Sequence, residues 1–361
     1  MKPIRWTRTF SLLGLAVAIL YTPHGDRVRN DQWHLRSLQV AEAHMHSLGD
    51  GVTVAVVDTG IDPHPDLARN LLPGFDVATG VGNGQHDTDS HGTGMAGLIA
   101  AHGSGPKSGA LGIAPRARLL PIRDPGISDQ GDSNGLAYGI TWAAAHGADV
   151  INISGGGGPT AQLRDAVEAA IQANVVIVAS VGNSSAVRGV TFPAAYDGVL
   201  AVGATDRQGN HADVSVTGKQ VAISAPGVDI YSTSYKGLYR KGTGTSDAAA
   251  IVSGAVALVR SKYPELSAQE VVHRLTATAT DKGPPGRDEQ YGYGVLDLVA
   301  ALTANVPPLG SATVTPSTSA AAAPPDGPGG GNSTGVWVAV LAAALAVGVT
   351  TAFVALRRRR R

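Results

Sequence analysis

Five short apolar runs constrain this chain more than any other feature. Residues 52–57 read Val-Thr-Val-Ala-Val-Val between Gly51 and Gly60, with none of the polar alternation of a strand that is wet on one face. Residues 118–122, 149–154, 175–180 and 199–204 repeat the pattern. Strands apolar on successive residues are buried on both faces, the condition of a parallel sheet covered by helices. Helical stretches separate the runs: 91–101, 134–146 with Trp142, and 161–173 with apolar residues three to four apart. The alternation predicts an α/β fold with a doubly wound, mainly parallel sheet. A short helix is expected over 38–48, a small-residue helix over 248–258, and closing helices over 267–277 and 295–304, the first begun by the N-cap Ser267.

Active sites in such sheets lie at the carboxyl ends of strands. Three segments place reactive side chains at strand or helix ends. Val54-Ala-Val-Val-Asp58-Thr-Gly60 ends a strand on a carboxylate, and His91-Gly-Thr-Gly-Met-Ala-Gly97 begins a helix on an imidazole. Lys241-Gly-Thr-Gly-Thr-Ser246 delivers a serine into the apolar run that follows. A serine there is either an ordinary N-cap or a hydroxyl held among unpaired N–H groups suited to a developing anion. Ser154-Gly155-Gly156-Gly157-Gly158 follows another strand. Its bare backbone is either a flexible loop or an edge on which an extended peptide adds as a strand.

Asp, His and Ser in that order, each beside its own Gly and Thr residues, resemble the subtilisin-like serine peptidases (subtilases) over about residues 31–304. The resemblance implies a subtilisin-like fold and a triad of Asp58, His91 and Ser246 that hydrolyses peptide bonds. It places Asn183, in Ala179-Ser-Val-Gly-Asn183, as an oxyanion donor beside the Ser246 N–H. Ser154, Gly155, Gly156 and Gly157 become a substrate-binding wall, Pro193 a cis proline, and His64, in the His-Pro-Asp-Leu segment, a structural turn residue. The chemistry needs no cofactor and no metal. Calcium sites are common in that family, but no ligand set can be placed in this sequence.

The chain departs from the family pattern at three positions. Ser90 stands where a glycine usually precedes the histidine, Ala250 where a proline usually follows the serine, and Asp247 where Met or Phe is usual. Asp247 is either a carboxylate that favours the helix dipole and points to solvent, or a charge opposing the oxyanion from nearby.

Twenty-eight basic and 28 acidic residues balance, so no field favours nucleic acid. The chain has no cysteine, which excludes disulfides and thiolate metal sites. Residues 1–26 have the layout of a signal peptide, basic then apolar, or of an uncleaved anchor. An N-terminal extension (27–50) and the peptidase domain (51–304) follow. Residues 305–335 form a Pro/Gly/Ser-rich linker, and the uncharged stretch 336–356 predicts a C-terminal transmembrane helix. Arginines fill 357–361 and predict a cytoplasmic tail, with the peptidase domain outside.

The short N-terminal extension, the tether and the single span together resemble the mycosins, membrane-anchored subtilases of type VII secretion in actinobacteria. Mycosins usually carry cysteines, which this chain lacks. The resemblance implies a peptide or protein substrate and type VII secretion membrane components as partners. Two alternatives remain: a catalytically weak or inactive scaffold that stabilises a membrane secretion complex, and an esterase.

Overall fold

A computed structural model describes residues 24–127, 131–184 and 186–310. The leader ahead of residue 24, most of the linker, the 336–356 span and the arginine tail lie outside the described residues. No helix among those described is long and apolar enough to cross a membrane. The described residues fall within the first of the chain's two units, Met1–Ser311.

The elements follow in chain order: helices α1 (His24–Asp31), α2 (Trp33–Ser37) and α3 (Val40–Ala43), strand β1 (Thr53–Asp58), β2 (Phe75–Asp76), α4 (His91–Ala100) and β3 (Arg118–Arg123). Then come α5 (Ser133–Ala145), β4 (Val150–Ile153), α6 (Ala161–Gln172), β5 (Val176–Ser180), β6 (Leu200–Thr205) and β7 (Ile223–Pro226). A hairpin of β8 (Ile230–Thr233) and β9 (Tyr239–Gly242) precedes α7 (Thr245–Lys262), α8 (Ala268–Ala277) and α9 (Leu298–Thr303). Strands β1 to β7 form one sheet in the order β2-β3-β1-β4-β5-β6-β7, and every pairing in it is parallel.

The continuous apolar runs have a direct explanation. Val54 and Val56 face one core with α4, α7, α8 and α9. Ala55 and Val57, on the other face of β1, join a second core with α5 and α6. Strand order reverses around β1, with β3 on one side and β4 on the other, and such a reversal opens a crevice at the strands' carboxyl ends.

Helix α7 runs through the first core and is buried from Thr245 to Arg260. Close approach needs small residues. A Cβ on Gly254 would come within 2.6 Å of Ile113 Cβ, and one on Gly97 of α4 within 2.2 Å of Thr233 Oγ1. The hydroxyls of Ser232 and Thr233 on β8 donate to the carbonyls of Gly94 and Thr93 at 2.6 and 2.7 Å, fixing α4 from the hairpin side.

Two expected elements are adjusted. The helix expected over 38–48 is shortened to α3 (Val40–Ala43), with Gln39 at a left-handed φ of 50° parting it from α2. The closing helix starts at Leu298, because Asp297 caps it by accepting from Ala300 N at 2.8 Å, while Val295 bridges to Thr280 and Ser224. Strand β7 runs into the Ala225-Pro-Gly227 turn, and Gly227 accepts from Gly244 N at 2.8 Å just ahead of Ser246. Ser267 begins α8 in a full capping box with Glu270.

The N-terminal segment is tied down by Gln32, which is wholly buried. Its amide donates to Leu111 O at 3.0 Å and Tyr231 O at 3.2 Å and accepts from Leu111 N at 2.9 Å. Gln32→Ala leaves those buried backbone groups unpaired, an expected loss of about 2 to 3 kcal/mol. A thermal melt should show the midpoint falling by roughly 4 to 8 °C, and an unchanged midpoint would refute this clamp.

Candidate active site

The site is assembled where β1, β4, β5, α4 and α7 meet. Asp58 ends β1 and is fully buried. Its Oδ1 accepts from Thr59 N and pairs with His91 Nδ1, both at 2.8 Å. His91 opens α4, which approaches so closely that a Cβ on Gly92 would lie 2.2 Å from Gly60 O. Ser246 is the second residue of α7. His91, Ser246, Ser154 and Asn183 line one cavity of about 360 Å³, with Asp89, Pro125 and Ile127 on its other walls.

The Ser246 hydroxyl donates to the Ser154 carbonyl at 2.9 Å. Ser154 Oγ returns a bond to Ser246 O at 3.2 Å and accepts from Asn152 Nδ2 at 3.0 Å. Asn152 Oδ1 in turn accepts from Ser253 Oγ at 2.9 Å. These bonds fix the start of α7 to the end of β4. Asn183 Oδ1 accepts from Thr245 N at 3.1 Å and Thr245 Oγ1 at 3.3 Å, which orients its amide beside the serine.

The glycine run is less open than its composition implies. Gly157 donates to Phe192 O at 2.8 Å and accepts from Phe192 N at 3.2 Å, and Gly156 O accepts from Gly131 N at 2.7 Å. An antiparallel bridge to the 190s segment has taken both polar groups of Gly157, and Gly131 has taken the Gly156 carbonyl. A side chain is excluded at Gly157, where a Cβ would meet Ser133 Oγ at 2.5 Å. The Phe192–Pro193 bond is cis. His64 is buried and bonded to Leu238 O at 3.0 Å, inside the turn rather than at the cavity. Among the described residues no group of three His, Cys, Asp or Glu side chains is placed to hold a metal ion.

Sequence reasoning missed the brace behind the histidine. Asp87 Oδ1 accepts from Thr59 Oγ1 at 2.9 Å and from the N–H groups of Asp89 and Ser90 at 2.9 and 3.1 Å. Its Oδ2 accepts from Thr93 Oγ1 at 2.6 Å and Thr93 N at 3.0 Å. Burial pushes the Asp87 carboxyl up, but these donors outweigh it and hold the group below its ordinary value. An aspartate four residues ahead of the histidine was the available signal. The brace also accounts for Ser90, which sits at φ 84°, a left-handed conformation that strains a residue bearing a Cβ.

Asp247 does not point to solvent. It is 2 % exposed and faces Arg240 of β9, with Nη2 to Oδ1 at 3.7 Å. Burial pushes its carboxyl up, and Arg240 and then His91 pull it back only in part, so the net shift is upward from the ordinary carboxylate value. Burial likewise pushes the His91 imidazolium down, but the Asp58 carboxylate outweighs this and the net shift is upward from 6.5.

A histidine with a raised folded pKa adds stability that is fully present below pH 6.5 and is lost as pH rises through the folded value. The stability gap between the native chain and His91→Gln, measured as denaturant midpoints, should therefore narrow from pH 6 to pH 9. A gap that widens would contradict the His91–Asp58 pairing as the source.

Comparison with known proteins bears on the same residues. The sequence model of the Subtilase family matches residues 49–294. Subtilisin Savinase of Lederbergia lenta is 40% identical over 271 residues, covering 74% of this chain and 97% of the relative. A crystal structure of MycP1 from Mycobacterium smegmatis superposes with TM-score 0.67 at 34% identity, over 76% of this chain and 85% of that one. A chain of an intact ESX-5 inner membrane complex superposes with TM-score 0.71 at 34% identity, over 90% of each chain.

Proposed function

The chain belongs to the subtilase family and is a serine endopeptidase, and from that premise we propose that Asp58, His91 and Ser246 are its catalytic triad and that it works on the outer face of a membrane beside a type VII secretion assembly. One observation carries the triad: His91 is held by the buried Asp58 at 2.8 Å while its ring and Ser246 line a single cavity.

The chemistry follows from the positions. Ser246 Oγ leaves its bond to Ser154 O, gives its proton to His91 Nε2 and attacks the scissile carbonyl carbon. Asp58 keeps the imidazole oriented through Nδ1 and stabilises the imidazolium. The oxyanion is received by the Ser246 N–H and the Asn183 amide, whose oxygen end is anchored on Thr245. The imidazolium then protonates the departing amine, and water, deprotonated by His91, releases the acyl group from Ser246. An extended substrate lies along Ser154, Gly155 and the Gly156 N–H.

Membrane attachment is supported by the uncharged 336–356 stretch followed by arginines. The secretion partnership is supported by the likeness to MycP1 and to a chain of the ESX-5 inner membrane complex. A scaffold without catalysis is the second reading, and the Ser246 hydroxyl turned to Ser154 O is the observation in its favour.

Labelling with a fluorophosphonate separates the two readings. The full chain should label and Ser246→Ala should not; an unlabelled wild-type chain with an intact fold would establish the scaffold. Asn183→Ala should lower kcat on a small peptide by about 10²- to 10³-fold, the size known from a subtilisin, with KM changing less. For topology, protease added to intact spheroplasts should remove the catalytic domain and leave a small membrane-bound fragment. Complete protection of the domain would reverse the proposed orientation.

A further inference from the structure

Arg240 and Asp247 form an ion pair at 3.7 Å, with Asp247 buried and the Arg240 side chain 20% exposed. Asp247 follows Ser246 on α7, and Asp247 Oδ1 and Arg240 Nη1 are buried without hydrogen-bond partners among the described residues. Two glycines make room for the guanidinium. A Cβ on Gly94 would lie 2.4 Å from Arg240 Nη1, and one on Gly242 would lie 2.2 Å from Nη2 and 2.7 Å from Asp247 Oδ1. Gly94 is on α4 with His91, so the guanidinium rests against the helix that carries the histidine while the carboxylate rests on the helix that carries the serine.

We propose that Arg240 and Asp247 are positioning residues, an ion pair set between the helices that carry His91 and Ser246, whose opposite charges act on His91 together. The proposal rests on His91 being the general base. Three charged side chains act on His91, namely Asp58, Arg240 and Asp247, and others lie on the elements around it. Asp58 comes from β1 through a direct bond, and Asp87 and Asp89 come from the preceding loop. Asp124 follows β3, its backbone N–H donating to Asp58 O at 2.7 Å, with Arg123 beside it. Arg240 comes from β9 and Asp247 from α7. Arg240 lowers the histidine's proton affinity and Asp247 raises it, Arg240 being the stronger of the two. The pairing also answers the difficulty that Asp247 poses beside a developing oxyanion. A carboxylate matched by a guanidinium presents a dipole to the cavity in place of a bare negative charge, and its field falls off faster with distance.

The test reads His91 itself. The full chain, labelled with 13C-histidine and with the His91 resonance assigned by its loss in His91→Gln, is titrated as wild type, Asp247→Asn and Arg240→Met. Asp247→Asn leaves the guanidinium unmatched, and the His91 midpoint should fall by about half a pH unit or more. Arg240→Met should move it upward. The acid limb of the pH–rate profile for fluorophosphonate inactivation should shift in the same direction in each variant, which lost packing alone would not produce. Thermal melts identify any variant that does not fold, and the other variant then decides by its direction. A His91 midpoint within 0.2 pH unit of wild type in a folded variant, a shift too small for a neighbouring buried charge, or a shift opposite in sign, would overturn the proposal. Should the wild-type chain not react with the fluorophosphonate, the peptidase mechanism falls, while the titration still decides whether the pair acts on His91.

Discussion

A carboxylate removed from water at the end of a strand needs partners, and the site is built around those of Asp58 Oδ1, while Oδ2 is buried without a hydrogen-bond partner among the described residues. Charge in a low-dielectric interior is stable only when paired or hydrogen-bonded. Asp58 has the Thr59 N–H and the His91 ring, both at 2.8 Å. Holding the ring there requires α4 to begin at one particular place, and that start is set by Gly92 packing on Gly60 and by Asp87 gathering Thr59, Ser90 and Thr93. The left-handed Ser90 is local strain of the kind found where surrounding contacts over-determine a turn.

The serine side is built from the sheet. Asn152 and Ser154, on and just after β4, hold Ser253 and Ser246 of α7 through reciprocal bonds. A helix buried from Thr245 to Arg260 cannot leave a hydroxyl inside it unpaired, and the polar residues of β4 meet that demand. Small residues make this possible, because Gly97 and Gly254 let α4, α7 and the β8–β9 hairpin approach within backbone distance. Low aromatic content and 47 glycines are thus the composition of a molecule whose helices press directly on their neighbours.

Much of this was legible in the chain. Continuous apolar runs imply strands covered on both faces whatever the rest of the chain does, since no one-sided sheet shelters them. The paired cores above and below β1, the long helix after Ser246 and the capped start of α8 follow from the same local rules. The three motif residues Asp58, His91 and Ser246 also lie at element ends that local periodicity locates; their grouping was implied by the family resemblance, and the strand order is a tertiary feature.

Partnerships between distant residues were decided only by the tertiary structure. Gly157 reads as open backbone until Phe192 claims both its polar groups, and Asp247 reads as a surface charge until β9 brings Arg240 over it. Short strands such as β2, β8 and β9 carry too few residues for a period to register. The physical reason is common to all three. Hydrophobic period and end-capping depend on neighbours within a turn or two, whereas the partner of a buried polar group is chosen by which surfaces the packed sheet and helices bring into contact.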